Sequence, residues 1–151
     1  MDKVELKKRL LEECVRIQTN HLQNLKEEID EAERIANDHD GGAEENMDSF
    51  REEMQNKREV FSRQFQITNT DLQILRRVDA GRTESSVQFG SVVITDNQRM
   101  FVTVSLGKIN LDGQDYFAIS MQTPLFKVLT GKKKGETVSF NGREIKIVDI
   151  F

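Results

Sequence analysis

The stretch Asn37-Asp38-His39-Asp40-Gly41-Gly42-Ala43-Glu44-Glu45-Asn46-Met47-Asp48 decides the fold. Paired glycines interrupt the helical patterns on either side, because glycine enters the left-handed conformation that ends a helix without steric cost. Five carboxylates fall within residues 38–48, and no Lys or Arg occurs between Arg34 and Arg51. The stretch reads as the acidic tip of an antiparallel helical hairpin.

Before the tip, Asp2 and Glu5 form a helix start, since both can accept from backbone amides that lack an intrahelical partner. Leu11, Val15, Gln18, Leu22, Leu25, Ile29, Ala32 and Ala36 then follow in alternating steps of four and three, the seam of a coiled coil. Only Gln18 is polar. No Gly or Pro lies between Asp2 and Asp38, so one helix of roughly 50 Å is predicted at about 1.5 Å per residue. After the tip, Met47, Phe50, Met54, Lys57, Phe61, Phe65, Thr68, Leu72 and Leu75 repeat the same steps. Two seams of similar length joined by a short connection fold back on each other.

Asp79-Ala80-Gly81 closes the second helix, and the texture changes after a polar linker over 82–86. β-Branched and aromatic runs at Val87–Phe89, Val92–Ile94, Met100–Val104 and Tyr116–Ser120 read as strands. Pro124 opens a short helix to Leu129. Gly135–Phe140 and Glu144–Ile150 read as two more strands joined by an Asn141-Gly142 hairpin turn. The chain is therefore predicted to be α+β, with a helical hairpin over 1–80 and a small antiparallel sheet domain with one short helix over 81–151.

Residues 1–80 carry 19 acids and 13 bases, a net −6, while residues 81–151 carry 7 acids and 9 bases, a net +2. An acidic chain is a poor general binder of nucleic acid. No apolar run approaches the roughly 18 residues of a membrane helix, and Met1–Glu5 lacks the order of a signal peptide. The single cysteine, Cys14, permits no internal disulfide. A cytoplasmic monomer with no membrane partner is expected.

The tip carries the candidate chemistry. Asp38 and Asp40 stand where the helix macrodipole disfavours anions, and two carboxylates about 6 Å apart repel by roughly 0.7 kcal/mol in water. Such a cluster resembles an incomplete oxygen site for a hard divalent cation, which needs only one or two protein carboxylates when another molecule completes its shell. His39 reads as a turn residue, His21 as solvent-facing and Cys14 as partly buried. Thr130–Thr137 lacks the spacing of a phosphate loop and reads as a basic turn. Lys26, Arg34, Lys57, Arg58 and Arg63 alternate with Glu and read as a salt-bridged face.

Three segments of the second half carry a family resemblance. Phe89-Gly90-Ser91-Val92-Val93, Ile119-Ser120-Met121-Gln122-Thr123-Pro124-Leu125 and Leu129-Thr130-Gly131-Lys132-Lys133-Lys134-Gly135-Glu136-Thr137-Val138 are similar to conserved stretches of the bacterial Gre family of transcript cleavage factors, in family order. The resemblance implies an FKBP-like second domain that docks on DNA-bound RNA polymerase through Ser120, Gln122, Thr123 and Pro124. It implies a hairpin tip inserted in the polymerase's secondary channel, where Asp40, Glu44 and Glu45 assist catalytic Mg²⁺ shared with the polymerase. The chain would then have no cofactor of its own, would be no enzyme alone, and would touch RNA only indirectly. Glu45-Asn46 matches the family's Glu-Asn, whereas Gly42 stands where the family has Asp. Asp40 is the nearest replacement, and modulation of the polymerase is expected ahead of efficient cleavage. Two alternatives are an FKBP-like peptidyl-prolyl isomerase or chaperone, and a structural coiled-coil protein.

Overall fold

The computed structural model describes residues 2–38 and 44–151. Its helices are α1 (Lys3–Asp38), α2 (Glu44–Leu75) and α3 (Pro124–Leu129). Its strands are β1 (Val92–Thr95), β2 (Arg99–Thr103), β3 (Gly107–Leu111), β4 (Gln114–Ser120), β5 (Thr137–Phe140) and β6 (Arg143–Ile150). Two compact units result: Ile17–Leu72, and Met1–Arg16 together with Gln73–Phe151.

The unit Ile17–Leu72 is an antiparallel helix pair. Gln18, Leu25 and Ala32 of α1 and Met54, Thr68 and Leu72 of α2 are buried, at the three- and four-residue steps that place side chains on one helical face. Gln18 Nε2 donates to the Thr68 carbonyl at 3.2 Å, and Arg58 pairs with Glu33 at 3.4 Å. These two contacts fix the pair's direction. The polar residue in the seam thus reaches a partner, as a buried amide must. Lys57 stays exposed, as an ammonium without a buried counter-charge does.

The other unit is built on one sheet of order β3-β4-β2-β1-β6-β5. Val87, Met100, Val102, Val138, Ile147 and Ile150 pack with Phe126 and Leu129 of α3 in one core. Residues of opposite parity, such as Phe101 and Ala118, are buried as well, so both faces of the sheet are shielded. The Asn141-Gly142 turn forms as predicted, with φ of 51° and 77°, the left-handed pair that matches the twist of a two-residue hairpin.

Three differences from the sequence reading have physical causes. β2 and β4 pair in parallel, Met100 opposite Phe117 and Thr103 opposite Ser120, because the additional strand β3 intervenes and returns the chain. β3 contains one buried residue, Ile109, and is held by backbone pairing to β4 across an Asp112-Gly113 turn. Val87–Phe89 is not a strand. Val87 instead exchanges backbone bonds with Gly131 and Lys132, each at 2.9 Å.

The first turns of α1 belong to the sheet unit and bury Lys7, Leu10 and Cys14 rather than Leu11 and Val15. The stripe moves by one residue where α1 leaves the helix pair and belongs to the sheet unit. Lys7 is fully buried. Its Nζ donates to the Arg82 carbonyl at 2.9 Å. Burial lowers its pKa, against which the charges of Glu84 and Asp79 act. Lys3 pairs with Asp149 at 2.8 Å and stands 5.7 Å from the Phe151 ring centroid.

Candidate functional site

Of the tip acids, Asp40 lies outside the described residues, as does His39, while Glu44 and Glu45 are the first two residues of α2. A helix N-terminus carries unpaired amides and the positive end of the macrodipole, so these positions favour carboxylates. Among the described residues no three His, Cys, Asp or Glu side chains group to hold a metal ion. Close behind this end, Ala32 and Ala36 thin the seam. A groove of about 280 Å³ opens there, bordered by Asn37, Met54, Gln55 and Arg58.

The residues assigned to partner binding come together in one turn at the end of β4. Thr123 Oγ1 donates to the Ser120 carbonyl at 2.9 Å and accepts from the Phe126 amide at 3.3 Å. Its backbone is extended, with φ −71° and ψ 146°, and Pro124 occupies the first helical turn. This is the N-cap arrangement that satisfies an unpaired helix amide. Ser120 Oγ accepts from the Gln122 amide at 3.2 Å. The hydroxyls of Ser120 and Thr123 are therefore committed to shaping the turn. Met121, Gln122 and Pro124 are exposed and form its outward surface.

Beside the turn is a cleft of about 680 Å³ that sequence reasoning missed. Phe117, Leu125, Phe140 and Ile145 give it an apolar lining, and Asn97, Gln98, Asn141 and Arg143 a polar one. Phe117 remains 36% exposed. The residues come from β4, α3, the β1–β2 turn and the β5–β6 hairpin, and no local pattern links them.

The remaining candidates are structural. Cys14 is completely buried, and burial pushes its thiol up to about 12, so it holds no reactive thiolate at neutral pH. His21 is exposed, as read. Arg34 pairs with Glu31 and Arg58 with Glu33, which makes their surface an ion-paired helix face. In the basic turn, the Lys133 amide is bonded at 2.6 Å by the carboxylate of Glu136. The chain's own acid takes the place an external phosphate would need.

No helix among the described residues is long and apolar enough to cross a membrane. No family model matches the chain, and no curated protein matches it. Solved structures similar to it include two of Gfh1. One is a crystal structure of the GreA factor homolog 1 (Gfh1) protein of Thermus thermophilus, 22% identical over 91% of this chain and 94% of that one, with a TM-score of 0.35. The other, a structure of the transcription factor Gfh1, is 22% identical over 98% of this chain and 92% of that one, with a TM-score of 0.36.

Proposed function

We propose that this chain is a Gre-like regulator of transcription elongation that binds RNA polymerase. It presents the acidic end of its helix pair near the polymerase's catalytic Mg²⁺ and modulates, or stimulates, cleavage of backtracked RNA. The observation that carries this reading is the convergence of the three family-like segments. Val93, Ile119, Leu125, Phe126, Leu129 and Val138, drawn from all three segments and the helix that joins two of them, pack in one core. The Ser120–Pro124 turn stands at its margin with Gln122 and Pro124 outward. The order of the segments along the chain thus has a spatial counterpart.

In this reading Glu45, Glu44 and Asp40 lend carboxylates to a metal that the polymerase already holds, which suits an oxygen set too small to retain a hard cation alone. The chain itself contributes position and charge. A stalled elongation complex made with cognate polymerase tests the proposal. RNA shortening that is lost in Glu45→Ala and weakened in Asp40→Ala supports cleavage, and slowed extension without shortening supports modulation. Absence of any binding to the polymerase would overturn the reading.

A further inference from the structure

We propose that the cleft beside α3 binds an extended segment of a partner protein in which an apolar residue is followed by an acidic one. The chemistry of its walls selects this occupant. Phe117, Leu125, Phe140 and Ile145 supply an apolar surface that can take one side chain from water, and Phe117 is 36% exposed while that surface is uncovered. Burying such a side chain is the largest favourable term open to this site.

The polar lining adds direction. Gln98 and Asn141 make no side-chain hydrogen bond among the described residues, and Asn97 engages only its oxygen, which accepts from Thr95 Oγ1 at 3.0 Å. Carboxamides that offer both a donor and an acceptor match the alternating N–H and C=O of an extended backbone. Arg143 has no carboxylate partner among the described residues, whereas Arg9 and Arg82 of the same unit are paired with Asp112 and Glu84. An unpaired guanidinium beside an apolar surface can donate two parallel hydrogen bonds to a carboxylate. A phosphodiester chain fits less well, since its affinity comes from several cations at once and this cleft has one. Neither the tip acids nor the outward face of the Ser120–Pro124 turn enters the site, so it stands or falls apart from the polymerase reading.

The test uses the full chain and arrays of immobilised short peptides, randomised around a fixed Leu-Glu core, with matched Leu-Gln and Gly-Glu arrays. Fluorescein-labelled copies of the best binders are then titrated by anisotropy. Leu-Glu peptides are expected to bind about tenfold more tightly than their Leu-Gln counterparts, a preference typical of one charge-assisted contact. Arg143→Gln should erase that preference while leaving the circular dichroism spectrum unchanged, and Phe140→Ser should weaken both series. Equal binding of Leu-Glu and Leu-Gln cores overturns the proposal. So does the absence of binding in all arrays, or an Arg143-dependent preference for single-stranded RNA over every peptide.

Discussion

Arg9 of α1 grips Asp112 of the β3–β4 turn with both terminal nitrogens, Nη1 to Oδ2 at 2.6 Å and Nη2 to Oδ1 at 2.8 Å. Asp112 also holds a left-handed φ of 53°, which Asp and Asn tolerate better than other side chains. The Arg9 hydrogen bond holds the Asp112 pKa below the ordinary 3.8; desolvation opposes it, and the charge of Arg9 adds a smaller lowering. A depressed carboxylate stabilises the fold above the unfolded pKa, and that contribution is lost as pH falls through the folded value. Asp112→Asn should keep the turn and remove this acid dependence, and Asp112→Ala should add backbone strain. In a double-mutant cycle with Arg9→Gln the effects should be non-additive, read by urea unfolding at pH 7 and pH 3.

Lys7 behaves in the opposite direction. Its pKa is lowered chiefly by burial, so between the folded value and the unfolded one near 10.5 the unfolded chain binds more protons, and stability rises with pH. Lys7→Met should abolish that rise at a net cost of about 1–2 kcal/mol, because an apolar chain of similar volume removes the buried charge but leaves the Arg82 carbonyl without its donor. Lys7→Ala should cost roughly 2–4 kcal/mol, since it leaves a cavity and an unpaired Arg82 carbonyl. Chemical unfolding from pH 7 to pH 10.5 separates the two.

The thiol of Cys14 reports on the same region. Alkylation by iodoacetamide at pH 8 should be slow in the native protein and fast in denaturant. With its pKa pushed up to about 12, stability should fall as pH rises above the unfolded thiol value near 8.5. A Cys14→Ala chain should lack that decline.

The Ser120–Pro124 turn separates shape from contact. Thr123→Ala should cost about 1 kcal/mol through loss of the N-cap, measured by thermal unfolding. Gln122→Ala should leave stability within about 0.5 kcal/mol and, on the proposed function, weaken association with RNA polymerase. Full polymerase affinity in Gln122→Ala would remove that side chain from the proposed docking surface.

Gln18 sets the register of the helix pair through its bond to Thr68. Gln18→Leu should be neutral or stabilising by up to about 1 kcal/mol. It should also loosen specificity, as buried polar seam residues in coiled coils fix register and oligomeric state. Sedimentation of the variant against wild type would show the added self-association.

The helix pair was legible because its signal is local. Leu25, Ala32, Met54 and Leu72 repeat at helical spacing and are buried as that spacing demands. Asn141-Gly142 was equally plain, since few pairs suit its backbone angles. β3 was not legible. Gly107–Leu111 hides one side chain, Ile109, among polar neighbours, and an edge strand of this kind is specified by pairing with β4 rather than by its own hydrophobicity. The shift from Val15 to Cys14 was equally hidden, because it depends on which surface α1 meets. The cleft was beyond reach for a related reason. Phe117 and Arg143 are brought to one cavity by long-range strand pairing, and neither departs from an ordinary strand residue in its own neighbourhood. The tip acids were readable as a cluster, while Gly42 in place of an acid left their division of labour open.

The two compact units meet along the chain within α1 and within α2, after Arg16 and again after Leu72. The sheet unit is therefore discontinuous in sequence, and Ile17–Leu72 is an insertion inside it. Residues 81–151 alone would lack buried Lys7, Leu10 and Leu75 and should not fold as an independent fragment. The insertion, by contrast, is modular. Removing one seven-residue repeat from each helix would preserve the phase of both seams and leave every residue of the sheet unit in place. The same arrangement bears on assembly: closure of the local helix pair would shorten the effective loop between Arg16 and Gln73, so stabilising the insertion should speed the joining of the two parts of its host.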